Sequence, residues 1–354
     1  MVHDNIENGN IFEKIIKKIN YLDLKFDTFL IGSKIPTEIL KRGEKNKRKL
    51  DLDVENIKKE INREIGKLLE KKLEKEVDFE NPDIIIMVDL RKFFKTSQRE
   101  DIKIRIQINP IFIEGKYKKL VRGIPQTKWP CRKCKGKGCD KCNGTGKMYK
   151  ESVEELISSI FLEETNGYGT KFHGAGREDI DVRMLGDGRP FVLEIKEPKK
   201  RKLDLEKLNK KVNDHSKGKT EYNYLKFSEK KRKVEIKVSS PDTYKLYRAL
   251  VECDTSIEEK DLEKIKQLAN TTIKQQTPLR VAHRRADKIR ERKVKDISAN
   301  IINSHSFEMI VKTQGGLYIK ELISSDDKRT TPNVSEILKT KAICKELDVI
   351  EVGN

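Results

Sequence analysis

Four of the six cysteines in this 354-residue chain fall within one short stretch, CRKCKGKGCDKCNGTG at residues 131–146. The pattern C-x-x-C-x-G-x-G is written there twice, with Cys131, Cys134, Cys139 and Cys142. Each C-x-x-C turn presents two thiolates to one ion, and zinc prefers four such ligands in a tetrahedron. Gly136 and Gly144 allow the backbone bend that points amides at sulfur. The pattern predicts a structural zinc site, with a dithiol redox pair or an iron–sulfur cluster as alternatives.

A second stretch, GAGREDIDVRMLGDGRPFVLEI at residues 174–195, gathers charged residues before an apolar run. It contains Arg177 and the carboxylates of Glu178, Asp179 and Asp181. A carboxylate can act as a nucleophile or as a base. A single G-R-x-D pattern also fits an ordinary turn, so residue types alone leave both interpretations open.

The chain is strongly basic, with 77 Lys and Arg against 58 Asp and Glu and a formal net charge of +19. A positive surface of this size attracts polyanions, which favours a nucleic-acid partner. Basic runs occupy residues 42–49, 199–202 and 283–293. The last run, HRRADKIRERK, would either bind phosphate or form a solvated basic face.

Hydropathy argues against a membrane protein. The mean hydropathy is −0.72, and no apolar run approaches the ~18–20 residues that a membrane span needs. The N-terminus, MVHDNIENGN, lacks the features of a signal peptide. We therefore expect a cytoplasmic protein with no membrane partner. Disulfides are rare in that compartment, which favours metal or redox chemistry for the clustered cysteines.

Periodicity predicts the elements that must position these groups. Helices are expected at 11–22 and 54–77, with residues 42–49 in a loop or an exposed helix end, followed by strands at 81–90 and 102–115. Further on, the pattern predicts a helix at 153–166, a hairpin turning at Asp187–Gly188, a strand at 233–240 and a short helix at 244–253. Asp181 and Arg183 are expected on the same strand as Asp179, where Asp181 could share its face.

Four blocks in a fixed order carry a family resemblance: RGIPQTKWPCRKCKGKGC, GREDIDVRMLGDGRPFVLEI, TPLRVAHRR and GLYIKE. Together they resemble the archaeal Pus-ten family of tRNA pseudouridine synthases, which modifies positions 54 and 55 of the TΨC arm. The resemblance covers residues 80–354 well and the first 80 residues only loosely. It implies an isomerisation in which the N1–C1′ bond of a uridine breaks and the uracil rejoins through C5, without an organic cofactor.

The resemblance also implies roles for five residues. Asp179 matches the catalytic aspartate of pseudouridine synthases and is preferred over Asp181 for that reason. Arg177 matches an arginine that in sister families helps to hold the flipped nucleotide out of the stack. Tyr247 matches a tyrosine that stacks on the target base, although its spacing also fits a plain core position. Tyr318 matches a substrate-contacting tyrosine, and Lys320 matches a basic partner of the aspartate.

The fold implied by this resemblance is α+β with two domains. Residues 1–150 would form a THUMP-like RNA-binding domain with the zinc site at 131–142. Residues 151–354 would form the pseudouridine synthase catalytic domain, built on a mixed, mostly antiparallel sheet. The expected partner is tRNA, held at its TΨC arm and at its acceptor end, and no obligate protein partner is implied.

Two other functions compete with this interpretation. The first is a non-catalytic, zinc-containing tRNA-binding protein, which a turnover assay would separate from an enzyme. The second is a THUMP-type RNA methyltransferase or thiolase, which would need a glycine-rich nucleotide loop after a strand. The nearest segments, GAGRED and TQGGLY, fit that context poorly.

Overall fold

The computed structural model describes residues 10–49, 55–238, 243–283 and 285–353. The chain forms two compact units. The first contains residues 1–111, 161–171 and 194–204, and the second contains residues 112–160, 172–193 and 205–354.

The elements up to residue 108 alternate helices and strands. The helices are α1 (Asn10–Leu22), α2 (Thr37–Lys49), α3 (Ile57–Leu73) and α4 (Phe93–Thr96), and a 3-10 turn covers Arg99–Asp101. The strands are β1 (Thr28–Lys34), β2 (Glu76–Val77), β3 (Ile84–Asp89) and β4 (Lys103–Ile108), which form a four-stranded sheet in the order β2-β1-β3-β4. The basic run at 42–49 is the C-terminal half of α2 and is exposed wherever its side chains are described.

Helical spacing explains the core of the first unit. Ile11, Ile15 and Ile19 recur every four residues on α1, and Ile61, Ile65 and Leu69 do the same on α3. Such residues line one face of a helix. They join alternate residues of β1 and β3 in one apolar cluster, as expected for helices that cover a sheet.

The remaining elements build a ten-stranded sheet. Its strands are β5 (Ile111–Lys119), β6 (Gly169–Gly174), β7 (Val182–Lys196), β8 (Thr220–Ser228), β9 (Tyr244–Cys253), β10 (Thr272–Gln276), β11 (Ile289–Asn303), β12 (Ser306–Gln314), β13 (Thr330–Thr331) and β14 (Ala342–Val352). The helices are α5 (Val153–Thr165), α6 (Leu205–His215), α7 (Arg232–Val238), α8 (Glu259–Ile265), α9 (Leu279–Ala282), α10 (Ile319–Ser324) and α11 (Val334–Leu338), with 3-10 turns at Asp140–Cys142 and Lys266–Leu268.

The sheet is mixed and mostly antiparallel, which confirms the predicted fold class. Its order is β13-β10-β11-β12-β9-β14-β7-β5-β8, and β6 pairs with β7. Strand β14 runs parallel to β7 and antiparallel to β9. This arrangement brings the start of β7 and the middle of β9 to the two sides of β14.

Two sequence predictions of secondary structure were wrong. Residues 244–253 form strand β9, on which every second side chain from Lys245 to Cys253 is buried. Of the strand predicted at 233–240, residues 233–238 belong to helix α7, and residues 239–240 lie outside the described residues. On α7 only Ile236 is buried, so the apparent alternation of its valines does not reflect a buried face.

The predicted hairpin at Asp187–Gly188 is also absent, because β7 continues through it as one strand of 15 residues. Gly186 and Gly188 have φ values of +60° and +89°, which L-residues with side chains rarely adopt. They bend the strand instead of reversing it. A Cβ at either position would meet the carbonyl of Ile350 or Tyr117 on a neighbouring strand.

The two compact units do not divide at residue 150, where we expected a domain boundary. Residues 112–160, including the four clustered cysteines, group with the second unit. The physical reason is that β5 pairs along most of its length with β8. Among the described residues, no helix is both long and apolar enough to cross a lipid bilayer.

Candidate active site and cysteine loop

The loop between β6 and β7 carries the G-R-E-D motif at one side of an open cleft in the second unit. The carboxylate of Glu178 points inward, with a side chain that is 1% exposed, whereas Asp179 lines the cleft with a side chain that is 29% exposed. Glu178 accepts hydrogen bonds from the hydroxyl of Tyr117 at 2.8 Å and from Nε of Arg189 at 3.0 Å. The first carboxylate of the motif therefore anchors the loop, and the second faces the cleft.

Lys119, at the end of β5, fixes the backbone of the same loop. Its Nζ donates hydrogen bonds to the carbonyls of Ile124, Asp179 and Ile180 at 2.9, 3.0 and 3.1 Å. Its side chain is fully buried, and burial lowers the pKa of Lys119 to about 8. Three carbonyls around one ammonium group satisfy the donors of a buried lysine.

Arg280, on α9, is the basic partner of Asp179. Its Nη1 donates to Oδ2 of Asp179 at 2.6 Å, and its Nε donates to Oε1 of the buried Glu321 at 2.5 Å. A guanidinium presents several donors in a rigid fork, so one side chain binds both carboxylates. Arg280 lies in the block TPLRVAHRR, but sequence reasoning did not single it out.

Lys320 lines the same cleft but does not pair with Asp179. Its Nζ donates to Oδ2 of Asp181 at 2.5 Å. Burial opposes ionisation of Asp181, yet this hydrogen bond lowers the pKa of its carboxyl group. Asp179 precedes β7, which begins at Val182, so the predicted sharing of a strand face does not apply. The two aspartates have separate basic partners.

Two tyrosines also line the cleft. Tyr247 is on β9 between β12 and β14, and burial raises its pKa to about 12. Tyr318 accepts a hydrogen bond at its hydroxyl from Nη1 of Arg285 at 2.7 Å. The guanidinium groups of Arg280 and Arg285 each lie 5.8 Å from its ring centroid. Tyr318 is therefore held against two cations.

Arg177 connects the motif loop to the cysteine loop. Its guanidinium lies 5.6 Å from the ring centroid of Trp129, which in turn contacts Tyr149 edge-to-face at 5.5 Å. Pro130 and Lys147 form an isolated antiparallel β-bridge where the two ends of the cysteine loop meet. We call this place the neck of the cysteine loop, and Trp129 and Tyr149 flank it.

The cysteine loop brings its four thiols together. The sulfur of Cys139 is 3.9 Å from that of Cys131 and 3.7 Å from that of Cys142, and the sulfurs of Cys134 and Cys142 are 3.8 Å apart. Four sulfurs at ~2.3 Å from one tetrahedral ion would be about 3.8 Å apart. The four cysteines therefore fit a tetrahedral, thiolate-bound metal ion.

Backbone amides support the thiolates. Burial opposes ionisation of Cys142, but the N–H groups of Cys139 and Gly146, each 3.2 Å from its sulfur, lower its pKa to about 6. The predicted bends are present, since Gly136 and Gly144 have φ values of +95° and +75°. Four thiols would fill the coordination of a tetrahedral ion, which is typical of a structural site and would leave no open position for catalysis.

Two family models match the chain: "Pus10 THUMP domain, archaeal" over residues 11–89 and "Pus10, C-terminal" over residues 112–353. The chain belongs to the Pus10 family. It is 52% identical to the tRNA pseudouridine synthase Pus10 of Methanosphaera stadtmanae over 98% of this chain and 86% of that protein. It is also 52% identical to the protein of the same name from Methanocaldococcus jannaschii, over 98% of this chain and 74% of that protein.

Solved structures that match this Pus10-family chain include a Cbf5-Nop10-Gar1 complex and a pseudouridylate synthase. The first match covers 56% of this chain and 45% of that chain, with 19% identity and a TM-score of 0.34. The second covers 77% of this chain and 78% of that chain, with 12% identity and a TM-score of 0.26.

All five residues that the resemblance named for the reaction line one cleft of this Pus10-family chain: Arg177, Asp179, Tyr247, Tyr318 and Lys320. Sequence reasoning missed the residues that hold them, namely Lys119, Glu178, Arg189 and Arg280. For Glu178, Arg189 and Arg280 a signal was available, since all three lie in the blocks that carry the resemblance. For Lys119 there was none, because it sits among other lysines on a strand.

Proposed function

We propose that this Pus10-family protein isomerises uridines 54 and 55 in the TΨC arm of tRNA to pseudouridine, with Asp179 as the catalytic aspartate. Membership of the family at 52% identity to named tRNA pseudouridine synthases supports the general activity, an isomerisation. The observation that supports Asp179 as the catalytic residue is its pairing with Arg280 at 2.6 Å beside the cleft. Positions 54 and 55 follow from the family resemblance. A positioned carboxylate that remains partly exposed can reach a ribose as nucleophile or base.

The other residues of the cleft fit the steps that such a reaction needs. The target uridine must leave the base stack, which costs a few kcal/mol. Arg177, exposed at the rim, would fill the gap, and Tyr247 would stack on the flipped base. Tyr318 would contact the substrate, and Lys320, whose charge is paired with that of Asp181, would lie at the same rim.

The rest of the chain fits recognition of a large polyanion. We propose that the first unit, which includes the segment matched by the archaeal THUMP model, binds the acceptor end of tRNA while the cleft of the second unit receives the TΨC loop. Such an enzyme would act in the cytoplasm. The cysteine loop would hold one structural zinc ion, and the isomerisation would use no organic cofactor.

The decisive experiment compares Asp179→Asn with Asp181→Asn on unmodified tRNA transcripts that carry a uridine at position 54 only or at position 55 only. Asp179→Asn should lower the rate of pseudouridine formation at both positions by at least about 1,000-fold. Its affinity for tRNA should change little, because phosphate contacts dominate binding. Asp181→Asn, which removes the same charge nearby, should retain activity.

Three outcomes would contradict the proposal. Full activity of Asp179→Asn would remove the catalytic assignment. Pseudouridine at one position alone would remove the other position from the substrate. Tight tRNA binding by the wild-type protein without any turnover would favour the non-catalytic tRNA-binding protein.

A further inference from the structure

The floor of the cleft contains a largely buried lysine that takes no part in holding Asp179 or the motif loop. Lys245, on β9, is 7% exposed and lines the cleft. Its ammonium group makes no hydrogen bond or ion pair with any residue that the structure describes. Burying most of a lysine side chain is costly when no protein group accepts a hydrogen bond from its ammonium, so Lys245 does not stabilise the free protein.

A second polar group beside it is also unpaired. Thr313 of β12 is directly opposite Lys245 in the sheet register. Its Oγ1 is buried and lacks a hydrogen-bond partner within the described part of the chain. The neighbour of Lys245 on β14 is Val352, which offers no polar side chain.

The charges nearest to Lys245 are already satisfied. The charges of Glu178 and Arg189 interact electrostatically with Lys245. Because these two side chains form an ion pair with each other at 3.0 Å, neither is a partner for Lys245. Lys119 provides a contrast, because that more deeply buried lysine has three carbonyl acceptors. Burial lowers the pKa of Lys245 to about 8, and the field of Arg189 adds to the effect. Among the described residues the ammonium group of Lys245 has no acceptor, so it is available to an acceptor that a substrate carries into the cleft.

The position of Lys245 within the cleft indicates which part of the substrate would accept its hydrogen bond. The exposed Arg285 at the rim already offers a cation to phosphates, whereas the charges of Arg280 and Lys320 are paired with carboxylates. Lys245 is at the floor, two residues from Tyr247 on the same face of β9. A flipped base that stacks on Tyr247 would bring its carbonyl oxygens towards this floor, whereas the bulky, hydrated phosphates would stay at the rim.

We propose that Lys245 is a further catalytic residue, whose ammonium group donates a hydrogen bond to a carbonyl oxygen of the flipped uracil. When the N1–C1′ bond breaks, its electron pair stays on the uracil, which becomes an anion with charge on its oxygens. Lys245 stabilises that charge until C5 bonds to C1′, C5 loses its proton and N1 gains one. This inference rests on the proposed pseudouridine synthase function.

The test is Lys245→Met in the full chain, which keeps the length of the side chain and removes the charge. In single-turnover assays with saturating tRNA, the rate should fall by about 100-fold or more, the usual effect of removing one such donor. The dissociation constant for tRNA should change by less than about threefold, because phosphate contacts dominate affinity. The midpoint of thermal unfolding should stay the same or rise, because an unpaired buried charge is gone.

The matched control is Lys312→Met, on the neighbouring strand β12. Lys312 is next to Thr313, so it points to the opposite face of the sheet, where its ammonium lies 4.0 Å from the ring of Tyr244. This variant loses the same charge and should keep wild-type rates. A second variant, Lys245→Ala, should regain part of its activity when ethylammonium is added, but not when ethanol is added.

The outcomes separate this inference from the proposed function. Absence of pseudouridine with the wild-type protein would overturn both. An active wild type with a fully active Lys245→Met would overturn the role of Lys245 alone. A weaker tRNA affinity with an unchanged saturated rate would make Lys245 a phosphate contact and would likewise overturn it. If Lys245→Met does not fold, the test passes to Lys245→Ala. Failure of ethylammonium to restore activity to that variant would then overturn the role of Lys245.

Discussion

Arg280 joins an exposed carboxylate to a buried one. Its guanidinium binds Asp179 at 2.6 Å through Nη1 and Glu321 at 2.5 Å through Nε. The side chain of Glu321 is 5% exposed, so its charge depends on this one cation. A lysine could not reproduce the arrangement, because its single ammonium lacks the planar fork of donors.

Arg280→Met should therefore affect stability and activity for different reasons. Loss of the cation leaves Glu321 buried and unpaired, which should lower the free energy of unfolding by about 2–3 kcal/mol; this is less than for a fully buried pair, because Arg280 is 35% exposed. Activity should fall at least about tenfold, since Asp179 loses the group that orients it. Denaturant unfolding and single-turnover rates measure the two effects.

The double variant Arg280→Met with Glu321→Gln separates these effects. It removes the uncompensated charge, so most of the lost stability should return while activity stays low. If activity returned together with stability, Arg280 would support the fold without orienting Asp179.

The titration of Lys245 gives a prediction about pH. Its pKa in the folded chain is about 8, against 10.5 when unperturbed. Between these values the unfolded chain binds more protons, so the free energy of unfolding rises with pH over this window. The stability advantage of Lys245→Met over wild type should thus be greatest below pH 8 and vanish near pH 10.5. Its upper limit is about 3.5 kcal/mol, at ~1.4 kcal/mol per pKa unit.

The groups that face Lys245 determine whether the pH dependence of stability can be assigned to Lys245 itself. They are Tyr247 on its own strand, Thr313 and Val352 on the neighbouring strands, and the Glu178–Arg189 pair. Burial raises the pKa of Tyr247 to about 12, so it does not titrate in the window. Equal pH dependence of wild type and Lys245→Met, in chemical denaturation from pH 7 to 10.5, would contradict the prediction.

At the residue scale, the sequence identified which side chains meet at the cleft but not how they pair. Lys320 was expected to partner Asp179, yet it bonds to Asp181. Asp179 is separated from Arg280 by 101 residues, and Asp181 from Lys320 by 139. No local spacing rule links residues so far apart. The pairings depend on how α9 and α10 are placed against the start of β7, which only the fold determines.

At the element scale, β9 shows why the periodicity of residues 244–253 predicted a helix where the structure has a strand. Its buried positions include Lys245 and Ala249, while Leu246 and Leu250 lie on the less buried face. The apolar residues of β9 therefore do not all lie on its buried face. As a result, their spacing along the sequence resembles that of a helix. The helices α1 and α3 were predicted well because their buried isoleucines and leucine recur on a single face.

The cysteine loop is an element whose stability should depend on its metal. Cys142→Ser should abolish stoichiometric metal binding and lower the midpoint of thermal unfolding, since the binding energy of a structural metal is folding energy. Cys253→Ala, which removes a thiol outside the loop, should keep the metal. Elemental analysis of the purified proteins measures both. An active wild-type protein without a stoichiometric thiolate-bound metal would refute a structural zinc site.

At the scale of the whole molecule, the first unit is assembled from three separate parts of the chain. Residues 161–171 and 194–204 return to it after the chain has entered the second unit. Both segments are short, and the basic run at 199–202 in the second one does not by itself indicate a return to the first unit. This is why the sequence indicated a single boundary at 150. Truncation there would divide the first unit, so substitutions in the full chain are the better test of its role.

We predict that the exposed basic end of α2 contacts tRNA. Replacing Arg42, Lys45 and Arg48 with glutamine should weaken tRNA binding and lower the salt slope by up to about 3, since each lost phosphate contact removes roughly 0.9. Activity should fall more on full tRNA than on an isolated TΨC stem-loop. Affinity measured at several salt concentrations provides the slope.

The control replaces three lysines whose charges are already paired, Lys260, Lys264 and Lys266, which bond to Glu258, Asp261 and Glu263. It removes the same net charge from the second unit. Equal salt slopes for the two triple variants would show that binding responds to total charge and not to the first unit.

The neck of the cysteine loop gives the protein an optical probe of its own. The chain has one tryptophan, and Trp129 stands there between Tyr149 and the guanidinium of Arg177. All indole fluorescence therefore originates at the junction of the cysteine loop and the motif loop. Removal of metal by a chelator should shift the emission to longer wavelength as water reaches the indole. Binding of RNA by Arg177 should change the fluorescence intensity of Trp129. Stopped-flow fluorescence should therefore measure the rate of nucleotide flipping without any label.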